Sequence, residues 1–159
     1  MKKTKPADQD FELWWLIHQT THLMERVREK ELSKQGLTIV QAGILFSVHI
    51  LGQRATPAEL ARWQAREPHT ISGVLNVMVK KGLVRKVKDL HRKNMVRVDM
   101  TEKGKKVYSE VAKRESVYKM MSVLPNHGYE QLENYMDVLR TKALDLLGAY
   151  NKAIAPPFS

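Results

Sequence analysis

Thr70, Ser72, Gly73, Asn76, Val77, Lys80 and Lys81 are the residues left outward when Ile71, Val74, Leu75 and Met78 fill the inward face of one helix. Hydroxyl and amide side chains in such a row can donate to and accept from base edges, and an Asn can pair bidentately with adenine. Gly73 has no side chain to hold a backbone or a thymine methyl at a distance. No acidic residue stands among them to repel phosphate, and His69 precedes them. A second set follows closely. Arg85, Lys86, Lys88, Arg92, Lys93 and Arg97 surround a short turn with His91 and Asn94, offset by Asp89 and Asp99. Cations at this density favour phosphate contacts, which set register and salt dependence rather than sequence choice. The bland readings are a solvated helix face and a hairpin kept soluble by lysine.

His18 and His22 stand four residues apart on another helix, a spacing that can bring two imidazoles to one metal. His49 is a conceivable third partner, but no neighbouring carboxylate or cysteine completes a ligand set, so no metal site is expected. Trp14 and Trp15 lie beside the histidines. Trp14, Trp15, His18 and His22 therefore form either an interface or the lining of an effector pocket. The eight methionines fit core filling better than oxidation sensing. No phosphate-cradling glycine loop, paired carboxylates or nucleophile–base motif is present, so an enzyme is not expected.

The elements that must position these residues follow from period and punctuation. A long helix is expected from Asp10 to about Lys34, ended by Gly36, with residues 1–9 polar and frayed. Thr38 and Gln41 form a capping box for a helix that closes near Gly52. Thr56, Pro57 and Glu59 start a short helix with a second such box. After Pro68 the next helix begins near His69 or Thr70 and stops at Gly82. Leu83–Lys88 and Met95–Met100 read as two strands. Thr101 caps a helix expected to run to about Ser122, and Asn126 caps a last one towards Tyr150. A helix, a turn, a second helix and a basic hairpin make a winged helix-turn-helix in a mainly α chain with a small β-hairpin wing.

The chain has 159 residues, enough for one compact domain with a real core. Hydrophobic residues at 43% and charged residues at 28% suit a globular protein, whereas a net charge of +10 favours a polyanionic partner. No cysteine is present, which removes disulfides and thiolate chemistry. Asp8, Asp10 and Glu12 interrupt any signal-peptide core, and no membrane span is apparent, so a cytoplasmic protein is expected.

The runs L-T-I-V-Q-A-G-I-L, T-P-A-E-L-A, T-I-S-G-V-L-N-V-M-V-K-K-G-L-V-R and V-R-V-D-M-T-E-K-G resemble the MarR family of bacterial transcriptional regulators, most specifically between Leu37 and Gly104. The resemblance implies a homodimer, with 10–34 and 107–150 as a helical dimerisation base and 38–104 as the winged DNA-binding lobe. It implies a pseudo-palindromic double-stranded operator, and a repressor modulated by a small, often aromatic or phenolic, ligand in place of a cofactor. Thr70 and Ser72 match the family's recognition segment, and Gly73 replaces its arginine. At the wing tip Arg92-Lys93-Asn94 replace an acidic residue and two cations, leaving Arg92 or Lys93 for the minor groove with Asp89 as orienting partner. DNA binding is thus expected without the family's usual sequence preference. The alternative is an architectural or protein-interaction module that binds DNA without sequence preference.

Overall fold

The computed structural model describes residues 6–89 and 95–148. Helix α1 (Pro6–Leu32) leads through a 3-10 turn at Ser33–Gln35 to α2 (Ile39–Leu51) and a second such turn at Gly52–Arg54. Then come α3 (Pro57–Trp63), α4 (Pro68–Lys80), the antiparallel strands β1 (Val84–Asp89) and β2 (Met95–Met100), and α5 (Glu102–Val111), α6 (Glu115–Met121) and α7 (Asn126–Leu146). Among the described residues, no single helix is long and apolar enough to cross a membrane.

Local chemistry explains most boundaries. Gly36 ends the first segment at φ +66, a left-handed conformation that costs glycine little. Thr38 accepts from the Gln41 N–H at 3.2 Å, and Gln41 Oε1 accepts from the Thr38 N–H at 3.3 Å. Thr56 accepts from the Glu59 N–H, but Glu59 does not complete its expected box. The Thr56 N–H already donates to the Arg54 carbonyl at 2.8 Å, and the Glu59 carboxylate pairs with Arg62 at 2.6 Å.

Three other boundaries differ from expectation. Helix α1 begins at Pro6 rather than Asp10, and α4 begins at Pro68 itself. A proline suits the first helical turn because its missing N–H has no partner there anyway. Asn126 lies inside α7, with Pro125 in the capping position.

The largest departure is the helix expected from Thr101 to Ser122, which breaks in two. Arg114 adopts φ +51 between α5 and α6. Two α1 side chains hold the break open. Arg28 donates to the Val111 carbonyl at 2.8 Å, placing a cation at the end of α5. Glu31 accepts from the Glu115 N–H at 3.0 Å, the Ser116 N–H at 3.3 Å and the Ser116 hydroxyl, placing an anion at the start of α6. Both charges complement the helix dipoles, and Arg28 and Glu31 also pair with each other. The Arg114 guanidinium sits 5.0 Å above the Phe46 ring of α2. Burial pushes the Glu31 carboxyl up, but hydrogen bonds from Ser116 and Arg28 and the Arg28 charge outweigh it, so its pKa lies below the ordinary value of 4.5.

One core joins the end of α1, α2, α3, α4, the hairpin and α5. Leu32, Ile44, Leu45, Leu60, Ile71, Leu75, Met78, Val84 and Val98 are fully buried in it. The outer helices differ. Helix α7 buries none of its residues, and in α1 Phe11, Leu13, Trp14, Trp15, Leu16, Leu23 and Val27 are exposed.

Candidate nucleic-acid interface

Helix α4 is held from beneath. Ile71, Leu75 and Met78 have no exposed surface, and Val74 packs against the same core. With those positions fixed, His69, Thr70, Ser72, Gly73, Asn76, Val77 and Lys80 all face outward, as the period predicts. An added Cβ at Gly73 would meet nothing within 4 Å, so the glycine opens the surface rather than fitting a neighbour. Helix α3 packs against α4 to make the helix-turn-helix, with Ala65 at φ +49 in the turn.

The hairpin follows α4 directly. Gly82, at φ +69, reverses the chain, and Val84 pairs with Met100 at the root of the ladder. Thr101 closes that root. Its hydroxyl bonds to the Gly82 carbonyl, and its oxygen accepts from the Gly104 N–H at 3.0 Å to cap α5. Gly104 is required here, because a Cβ would lie 2.0 Å from the Leu83 carbonyl oxygen.

Two of the expected wing residues, Lys88 and Asp89, are among the described residues. Lys88 is exposed and pairs in register with Val96. Asp89 closes β1 opposite Met95. His91, Arg92, Lys93 and Asn94 lie outside the described residues. The cations nearer the root are not the uniform phosphate-facing set that composition suggests. Arg97 is only 25% exposed and its Nε lies 3.2 Å from Asp99 Oδ1, while Arg85 approaches Asp99 at 3.8 Å. The register explains this grouping, since Arg85 stands directly opposite Asp99.

One link between helix and wing has no sequence signal. Lys86 of β1 donates to Asn76 Oδ1 of α4 at 2.9 Å, tying the outward helix face to the hairpin root. It partners the oxygen of the amide expected to read adenine.

The second cluster is separate. Trp14 stacks on His18 at 5.6 Å, Trp15 lies 5.4 Å from His18, and Phe11 stacks on both tryptophans. His18 and His22 are exposed on α1, whereas His49 sits on α2 with its ring 4.9 Å from Tyr108. Among the described residues no three His, Cys, Asp or Glu side chains gather to hold a metal ion.

A helix-turn-helix followed at once by an antiparallel hairpin and a glycine-sealed root is the winged arrangement, and residues 35–98 match the MarR family model. Over that segment the chain is similar to the MarR family. Its fold is similar to that of the organohalide-sensing transcriptional regulator RdhR-CbdbA1625 bound to 2,4-dichlorophenol. That match has 28% identity and a TM-score of 0.83 over 98% of this chain and 95% of that one. The fold is also that of a mutant MarR from E. coli complexed with operator DNA, at 20% identity and a TM-score of 0.75, covering 86% and 99% of the two chains. The S. aureus MepR–DNA complex matches at 19% identity and a TM-score of 0.74, over 81% and 94%. No curated protein matches the sequence significantly.

Proposed function

We propose that this chain is a dimeric, sequence-specific DNA-binding transcriptional regulator, acting as a repressor whose DNA affinity a small ligand modulates. The observation that carries the reading is α4. Its outward face offers Thr70, Ser72, Gly73 and Asn76 without an acidic side chain, and its inward face anchors it on the core. A helix presented this way can enter a major groove, with base edges within reach of its hydroxyl and amide groups. Lys80, Lys88 and the cationic tip Arg92-Lys93 supply phosphate contacts, and the net charge of +10 supports them. His69 precedes the outward row of α4, His91 and Asn94 belong to the same proposed wing set, and Asp89 is the proposed orienting partner of Arg92 or Lys93.

The dimer rests on the apolar faces of α1 and α7. A second copy of the chain would cover them, setting two α4 helices at the spacing of a pseudo-palindromic site. The ligand part draws on relatives, one bound to 2,4-dichlorophenol and another, CouR from Rhodococcus jostii RHA1, bound to p-coumaroyl-CoA. In this chain Trp14, Trp15, His18 and His22 offer an aromatic surface for such a molecule.

A gel-shift series with DNA from upstream of the protein's own coding region, at rising salt and with competitor duplex, tests the reading. Specific binding survives competitor. Asn76→Ala then loses about 1–3 kcal/mol of discrimination at particular base pairs. Binding that fades uniformly with salt and ignores Asn76 overturns it in favour of an architectural module.

A further inference from the structure

An ammonium has three donors and no acceptor, so the only atom of a side-chain amide that can bond to it is the carbonyl oxygen. The 2.9 Å bond from Lys86 Nζ to Asn76 Oδ1 therefore fixes the sense of the amide, with Oδ1 towards the hairpin and Nδ2 away from it. We propose that Lys86 is a positioning residue for base reading: it holds Asn76 as a donor, so that Asn76 selects guanine over adenine. This rests on the function proposed above and names the base that one reading residue takes.

Strand geometry brings the lysine to this place. Side chains alternate along β1, so Lys86 shares a face with Val84, and it stands opposite Val98 in the ladder. Val84 and Val98 are both buried in the core, so that face of the hairpin turns towards the helices. Lys86 itself is exposed, and its long stem carries the ammonium beyond the buried pair to the outward side of α4. Arg85, on the other face of the strand, meets Asp99 instead. Helix α4 contains no acidic residue, and among the described residues no carboxylate pairs with Lys86. Its bond to the amide is charge-assisted and stronger than one between neutral groups. It also polarises the amide, which makes the Nδ2 hydrogens better donors.

Base edges respond to this difference. An unrestrained Asn pairs with adenine by accepting from N6 and donating to N7, which needs Oδ1 and Nδ2 side by side on one base. With Oδ1 turned to the hairpin, the amide leads with its donors, and the N6 amino group of adenine meets them as a like partner. Guanine offers two acceptors in the major groove, O6 and N7, whereas thymine offers one and cytosine none. The Lys86 charge beside the amide favours the same acceptor-rich edge.

Selection of binding sites from a randomised duplex library, by the full chain and then by its variants, tests the assignment. The unaltered chain should recover a preferred sequence in which Asn76→Ala relaxes one base pair of each half, and that pair should be G·C. Lys86→Met should lower the preference for G·C over A·T there about tenfold, the size of one good base contact. Lys86→Arg keeps a cationic donor and should keep the preference. With Asn76→Ala already in place, Lys86→Met should weaken every duplex by one common factor, as a lost phosphate contact does, and shift no preference. Four results overturn the assignment and leave the regulator reading standing: an A·T pair at that position, no position that depends on Asn76, a G·C preference that survives Lys86→Met, or one that Lys86→Met shifts in the absence of Asn76. A library that yields no preferred sequence overturns both.

Discussion

The lobe from α2 to α5 and the outer helices α1 and α7 carry the same kind of apolar periodicity, yet they bury it differently. Ile44, Leu45, Leu60, Ile71 and Leu75 have no exposed surface, whereas Trp14 is 55%, Leu132 42% and Leu139 49% exposed in the single chain. A 3.6-residue period reports which face of a helix shuns water; it does not report whose atoms cover that face. The lobe satisfies its stripes within the chain. The outer helices leave theirs for another surface.

Three changes break or sharpen this contrast. Gly104→Ala strikes the lobe where it is tightest, since the new Cβ would meet backbone rather than a movable side chain. It should cost about 3 kcal/mol or more in urea-induced unfolding, at the upper end of overpacking penalties. A loss below about 1 kcal/mol would show that the root of the hairpin is not rigid. On the outer helices, Leu132→Glu combined with Leu139→Glu should leave the lobe folded and weaken self-association by more than tenfold, about 1.4 kcal/mol. Sedimentation velocity reads this directly, and an unchanged dimer would place the contact elsewhere.

The smallest effect is at the junction between the two regions. Glu31→Gln should cost about 1 kcal/mol at neutral pH, by weakening charge-assisted bonds to Ser116 and the start of α6. The folded pKa of Glu31 lies below 4.5, so its contribution is complete above that value and disappears as pH falls through the lower folded one. Unfolding curves of the two proteins should therefore converge in acid. A difference that persists there would mean the carboxylate charge plays no part.

The same junction shows what a sequence can disclose. Thr38, Thr101, Gly36 and Gly82 act on neighbours a few residues away, and each boundary they mark is where local chemistry puts it. The break at Arg114 is different, because Glu31 stands 84 residues before the Glu115 N–H it accepts from. Nothing between Thr101 and Ser122 foretells it. Glu59 fails for a subtler reason, as the backbone itself takes the Thr56 N–H.

The candidate interface divides along the same line. The outward row on α4 was legible because the inward positions obey one helical period. Lys86 beside Asn76, and Arg85 beside Asp99, depend on how β1 and β2 align and on where they lie against α4. Composition presented the hairpin cations as one phosphate-facing group. The register splits them, and Arg97 turns partly inward.

One bond couples the hairpin to the helices beneath the candidate interface. The Val98 N–H of β2 donates at 2.7 Å to the carbonyl of Ala55, a residue with no exposed surface just ahead of Thr56. The middle of the second strand is thus pinned to the doorstep of α3. Tilting the hairpin must drag on that doorstep, and with it the pair of helices beyond. The tilt of the hairpin and the pitch of the outward-facing helix α4 are therefore geared together, so a molecule that pushes on either one is felt by both.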